Sequence, residues 1–130
     1  MSKFVKLSII LNIFLLVGCS NDNFISAIAE TEPVATSGDA ADDPAIVVNF
    51  SNPTQSLIFG TDKRAGVYLY DLSGKKISYA ALGEINNIDV RQADNKIYVA
   101  ASNRTAQSIE FWEFNQQEFF KNIVHSESLF

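Results

Sequence analysis

Four short stretches carry side chains whose types and spacing could do chemistry. "DAADDPAI" sets Asp39, Asp42 and Asp43 within five residues, directly ahead of an apolar, strand-forming run. Carboxylates this close repel one another, so a positive charge held among them would explain the stretch. Calcium is such a cation, taking about six to eight carboxylate and carbonyl oxygens. Pro44 stiffens the loop that would aim them. The plain alternative is a solvated acidic loop capping a strand. "TDKRAG" supplies the opposite sign: Lys63 is a point charge, and Arg64 is a planar fork matched to phosphate oxygens. An exposed hairpin turn would also explain that stretch. In "NNIDVR" the two-residue period puts Asn87, Asp89 and Arg91 on one strand face and Ile88 and Val90 on the other. That pattern suits a strand between a wet channel and a dry layer. "AASNR" adds Arg104, beside Asn103, which reads equally well as a turn residue.

Other chemistries are poorly served. The single histidine, His125, sits in an unpatterned tail without a serine or motif partner, which speaks against a phosphohistidine or serine–histidine mechanism. The single cysteine, Cys19, excludes an internal disulfide framework. It closes "LVGC" after a charged start (Lys3, Lys6) and an apolar run, Leu7 to Val17, too short to span a membrane. The segment resembles a bacterial lipoprotein signal, which implies residues 1–18 as signal and Cys19 as the lipidated first residue of an exported, envelope-anchored protein. Losing Lys3 and Lys6 from the 10 Lys and Arg leaves 8 against 15 Asp and Glu, a formal charge of −7. An acidic chain of this kind is no nucleic-acid binder.

The elements that must position these residues are short strands. Residues 19–38 have few large apolar side chains and read as a flexible tether, with at most a marginal helix near residues 24–29. From Ala45 onward, "AIVVNF", "SLIFGT", "GVYLYDL" and "KKISYA" are followed by "NNIDVR", "KIYVAAS", "SIEFWEF" and "EFFKNIV". Eight strands rich in β-branched and aromatic residues, separated by turn signals, predict an all-β chain over residues 39–130. The two sets are alike. "SLIFGTDKR" lies over "KIYVAASNR", putting Arg64 on Arg104, and a two-residue insertion brings "VYLYDLSG" onto "IEFWEFNQ". Four strands per unit of about 40–45 residues is the pattern of a β-propeller blade. Two blades leave apolar faces, among them Val67, Leu69, Phe111 and Trp112, expected to lack cover, so the chain reads as the N-terminal part of a longer propeller.

In order and spacing, "DAADDPAI", "GTDKRAGVYLYDLSGKK", "NNIDVR" and "AASNR" resemble the opening blades of the bacterial β-propeller phytases. The resemblance implies two blades of a six-bladed, monomeric propeller that uses calcium to release phosphate from myo-inositol hexakisphosphate. It implies Asp42, Asp43 and Asp89 as metal ligands. Lys63, Arg64 and Arg104 would stabilise charge on the phosphoryl oxygens, and Asn87 and Arg91 would join them in binding substrate. Arg64 stands where the family usually has a second lysine, and Val47 where it has an aromatic residue. Site residues that the family draws from later blades have no counterpart here, so the piece alone is expected to be inactive. A surface-anchored propeller that binds a ligand or partner without catalysis is the second reading. Clustered carboxylates together with loop cations favour the enzyme.

Overall fold

The computed structural model describes residues 25–123. In it the alternating apolar residues form two antiparallel sheets. The first holds β1 (Ala41–Val47), β2 (Leu57–Asp62), β3 (Gly66–Asp71) and β4 (Lys76–Ala81) in sequential order. The second holds β5 (Ile85–Ala93), β6 (Lys96–Asn103) and β7 (Ser108–Asn115), again in sequence. These meandering sheets are the all-β, propeller-blade architecture expected of the sequence.

Local chemistry sets the turns. Between β3 and β4, Asp71 Oδ1 accepts from Ser73 N (2.8 Å), Ser73 Oγ (2.6 Å) and Lys75 N (3.0 Å). Gly74 follows at φ +86, where a Cβ would lie 1.9 Å from the Glu30 carbonyl oxygen. Between β5 and β6, Asp94 and Asn95 both adopt positive φ (50 and 61), the requirement of a tight two-residue hairpin.

The core lies between the sheets. Val47, Leu57, Phe59, Val67 and Leu69 from the first meet Ile85, Ile88, Ile97, Val99 and Ala101 from the second. Val67 and Leu69, expected to lack cover, are fully buried there. Side chains also tie the first sheet and the residue after β1 to β5. Gln92 reproduces a strand pairing by accepting from Val48 N and donating to Val48 O, both at 2.8 Å. Thr61 Oγ1 donates to the Asn86 carbonyl at 2.7 Å.

Three expectations need correction. The eighth strand, "EFFKNIV", is instead largely a helix, α1 (Gln116–Asn122). Asn115 caps it by accepting from Gln117 N and Glu118 N, Glu118 lies in the first turn and Lys121 in the last. Phe119 and Ile123, four apart and so on one helical face, close the core. Among the described residues the second sheet therefore has three strands.

The repeat also holds with a different register. Phe59 pairs with Leu69, but its counterpart Val99 pairs with Trp112, not Phe111. The β6–β7 turn carries one residue more than the two-residue insertion allowed. A slip of one residue exchanges the faces of a strand. Trp112 and Phe114 turn inward, and Ile109 and Phe111 are 70% and 63% exposed.

Finally, the stretch expected to be a tether is, from Glu30 to Gly38, laid against the first sheet. Glu32 N donates to Gly74 O (2.8 Å), Ala35 N to Tyr68 Oη (3.0 Å), and Thr36 Oγ1 to Asp62. This strap helps bury Tyr68 and Tyr70, which lie on the face of β3 turned away from the core. Residues 25–29 form no helix.

Candidate functional site

The start of β1, the β2–β3 turn, the start of β5 and the end of β6 meet at one end of the paired sheets. Backbone bonds fix the meeting: Lys63 N donates to Ala40 O and Arg104 N to Glu84 O, each at 2.9 Å. Across the two sheets Arg104 Nη2 donates to the Lys63 carbonyl at 2.9 Å. The structure thus brings together Asp39, Asp42, Asp43, Lys63, Arg64, Asn87 and Arg104.

The positive charge among the carboxylates is a lysine. Lys63 Nζ lies 2.9 Å from Asp39 Oδ2 and 3.5 Å from Asp42 Oδ1. The hydrogen bond from Lys63, reinforced by its charge, holds the Asp39 carboxyl below the ordinary carboxylate range. The same bond holds the Lys63 ammonium above the ordinary lysine range, against the desolvation that opposes it.

Asp43 does something else. Alternation along β1 turns it to the face opposite Asp42, where its Oδ2 accepts from Ile88 N at 2.9 Å. Its own N–H donates to Thr61 Oγ1 at 2.9 Å. The two adjacent aspartates therefore serve different neighbours: Asp42 faces Lys63, and Asp43 joins β1 to β5.

On β5 the expected alternation holds, with Asn87, Asp89 and Arg91 exposed and Ile88 buried. Asn87 N donates to Ser102 Oγ at 3.0 Å, and its Oδ1 accepts from Asn86 Nδ2 at 3.0 Å. Asp89 pairs with Arg91 at 2.6 Å, and Arg91 also reaches the Val90 carbonyl. Asp43, Asn87, Asp89 and Ser102 line one open groove of about 500 Å³. Arg91 points along this face and does not line that groove. Arg64 Nη1 donates to the Ser37 carbonyl at 3.2 Å.

Sequence reasoning gave Asp62 no role, yet it is the charged residue buried deepest at this end, with no exposed surface. Its carboxylate accepts from Thr36 Oγ1 at 2.6 and 2.5 Å and from Arg64 N at 3.0 Å. Aspartate two residues before a turn amide is an Asx-turn signal, present in "TDKRAG" and overlooked beside the more visible cations.

Among the described residues no three His, Cys, Asp or Glu side chains gather closely enough to hold a metal ion. Asp43, Asp89 and Asn87 give one groove two carboxylates and an amide. These are hard oxygens of the kind calcium takes, too few by themselves to make up its shell of about six to eight. Cys19 and His125 lie outside the described residues.

Two antiparallel blade-like sheets, with cations and carboxylates crowded at one loop end, are the architecture of β-propeller blades. The sequence matches the phytase family over residues 8–128, and the chain belongs to that family. It is 41% identical over 86 residues to the 3-phytase of Bacillus subtilis (strain 168), an overlap covering 62% of this chain and 22% of that relative.

Proposed function

We propose that this chain forms one sector of a calcium-dependent phytase site that releases phosphate from myo-inositol hexakisphosphate. The observation that carries the reading is the bond from Arg104 to the Lys63 carbonyl, which brings cations of two successive sheets to one end, beside a groove walled by oxygen ligands. Arg64 and Arg104 present guanidinium forks to phosphate oxygens and stabilise charge as it develops on the transferred phosphoryl group. Lys63 adds a third positive charge, and Asn87 a hydrogen-bonding amide; Arg91 lies further along the same strand, as an outer contact for a substrate with many phosphates. Asp42, Asp43 and Asp89 would offer carboxylate oxygens to calcium, each from an existing contact: Asp42 with Lys63 at 3.5 Å, Asp43 with the Ile88 amide at 2.9 Å and Asp89 with Arg91 at 2.6 Å. Bound calcium would neutralise phosphate charge and lower the pKa of an attacking water.

The "LVGC" stretch supports export, with attachment of the chain to the cell envelope through lipid on Cys19. Labelling cells with a fatty-acid analogue should tag the protein, and Cys19→Ala should abolish the tag. Persistence of the tag would refute the anchor.

Isothermal titration with myo-inositol hexakisphosphate tests the site. The chain should bind it, and Arg104→Ala should weaken binding by about tenfold, the cost of one charge-assisted contact. Unchanged affinity in Arg104→Ala would refute the assignment. Calcium-dependent binding without phosphate release in a protein carrying the complete site would favour the non-catalytic reading.

A further inference from the structure

The β2–β3 turn carries Lys63 and Arg64, and two features of its surroundings are unusual for a surface hairpin. Asp62, at the foot of the turn, is a carboxylate without exposed surface, and among the described residues no Lys, Arg or His lies within ion-pair distance of it. A buried charge without a counterion is costly unless its oxygens are saturated by hydrogen bonds. Here the donors are two. One is the Arg64 backbone N–H, which makes the side chain part of the turn itself. The other is the hydroxyl of Thr36, which reaches both oxygens from the strap, 26 residues away in sequence. On the far side of the strap contact, Arg64 Nη1 returns a bond to the Ser37 carbonyl. The strap, the buried carboxylate and the cationic turn form a closed loop of hydrogen bonds: Thr36 to Asp62, Asp62 to Arg64, Arg64 to Ser37. Gly38, next along, gives way to Asp39, the partner of Lys63. Both cations of the turn are therefore tied to the end of the strap and the residue after it, Ser37 and Asp39.

We propose that Asp62 is a positioning residue for the Lys63–Arg64 pair and that Thr36 is the latch that holds it, which makes the strap part of the phosphate site. Asp62 touches no substrate. It fixes the turn from beneath, so that the charged groups above are placed before ligand arrives, a preorganisation that saves the cost of ordering them on binding. The inference rests on the phosphate-binding reading of the turn for its consequence, but the latch itself does not.

The test has a ligand arm and a ligand-free arm. In the first, myo-inositol hexakisphosphate is titrated into the wild-type chain, Thr36→Val, which keeps the shape and removes the hydroxyl, and Thr36→Ser, which restores it. Affinity should fall by about tenfold in Thr36→Val and return to within about twofold in Thr36→Ser. In the Lys63→Ala, Arg64→Ala background Thr36→Val should cost nothing more, since a latch has no effect once the groups it places are gone. Wild-type affinity in Thr36→Val, equal weakening in Thr36→Ser, or additive loss in the combined variant would overturn the proposal. In the ligand-free arm, the ¹H–¹⁵N signal of the Arg64 amide should move in Thr36→Val and recover in Thr36→Ser; an unmoved signal overturns the latch. If the wild-type chain binds no phytate, the functional reading fails and the amide signal alone decides the latch. If Thr36→Val does not fold, Thr36→Ala decides: it removes the same hydroxyl without the bulk of valine, so affinity should fall by about tenfold and the Arg64 amide signal should move, and wild-type affinity or an unmoved signal overturns the latch.

Discussion

Asp43→Ala should destabilise the fold whether or not calcium is present. The family resemblance implies this carboxylate as a metal ligand, and in the structure its Oδ2 accepts from the N–H of Ile88 at 2.9 Å. Ile88 is 4% exposed and belongs to the core between the sheets, so water cannot readily replace the lost acceptor. Removing one partner of a buried hydrogen bond and stranding the other costs about 1–3 kcal/mol. For a domain of this size each kcal/mol lowers the melting temperature by about 4–8 °C. The expected drop is therefore about 5–20 °C. Asp43→Asn keeps an oxygen that can face Ile88 and should lose less than half as much. Melting both variants by circular dichroism in excess chelator removes any contribution from a bound metal. An Asp43→Ala protein melting within about 2 °C of wild type would refute the claim that this side chain joins the sheets. Asp43→Asn then becomes the informative variant for calcium: its fold is kept, a charged oxygen is gone, and the calcium needed for half-saturation should rise.

Acid should loosen the β3–β4 turn. The Ser73 side chain, helped by the backbone amides of Lys75 and Ser73, holds the Asp71 carboxyl below its ordinary value. A depressed folded pKa contributes stability above the unfolded value of about 3.8 that is lost as pH falls through the folded one, so Ser73→Ala should flatten the decline of melting temperature below about pH 4. An unchanged pH profile in Ser73→Ala would count against that cause. Gly66→Ala should be among the most damaging single-methyl changes, because at φ +151 the new Cβ would lie 2.0 Å from the Ala80 carbonyl oxygen. A loss of at least about 2 kcal/mol in urea unfolding is expected, and a loss below about 0.5 kcal/mol would contradict the contact.

Much of this was legible in the sequence, for identifiable reasons. Strands β1 to β7 follow from apolar alternation and turn residues, and the placing of Arg64 and Arg104 at one end follows from their matching positions in the two repeats. The failures are equally specific. In "SIEFWEFN" both faces of the strand are apolar, Ile109 and Phe111 on one and Trp112 and Phe114 on the other, so alternation could not choose the inward face. The helix after it was hidden because Phe119, Phe120 and Ile123 are as apt for a strand, although Asn115 and Glu118 stand at capping spacing. The strap has almost no apolar content. What holds it are isolated hydrogen bonds, from Glu32, Ala35 and Thr36 and from Arg64 to Ser37, between residues 26 to 42 positions apart, and no local pattern announces such contacts.

The partners of the cations also bear on how they divide the work. Lys63 is paired with Asp39 and Asp42, and Arg91 with Asp89 at 2.6 Å. A carboxylate partner holds a cation in place but also offsets part of its field, so Lys63 and Arg91 attract a phosphate less strongly than an unpaired cation would. Arg64 and Arg104 are held differently, by the carbonyl oxygens of Ser37 and Lys63 at 3.2 and 2.9 Å. A carbonyl orients one N–H of a guanidinium and leaves its charge and its other donors available. The three clustered aspartates are then reconciled with an anion site. Lys63 offsets one of the two charges of Asp39 and Asp42, and Asp43 is turned to the opposite face to bind the Ile88 amide, so the repulsion a phosphate would meet at the two arginines is reduced. The departure at position 64 gains a meaning from this arrangement, because a lysine there could supply the charge but not the planar fork that reaches the Ser37 carbonyl while keeping further N–H groups for phosphate.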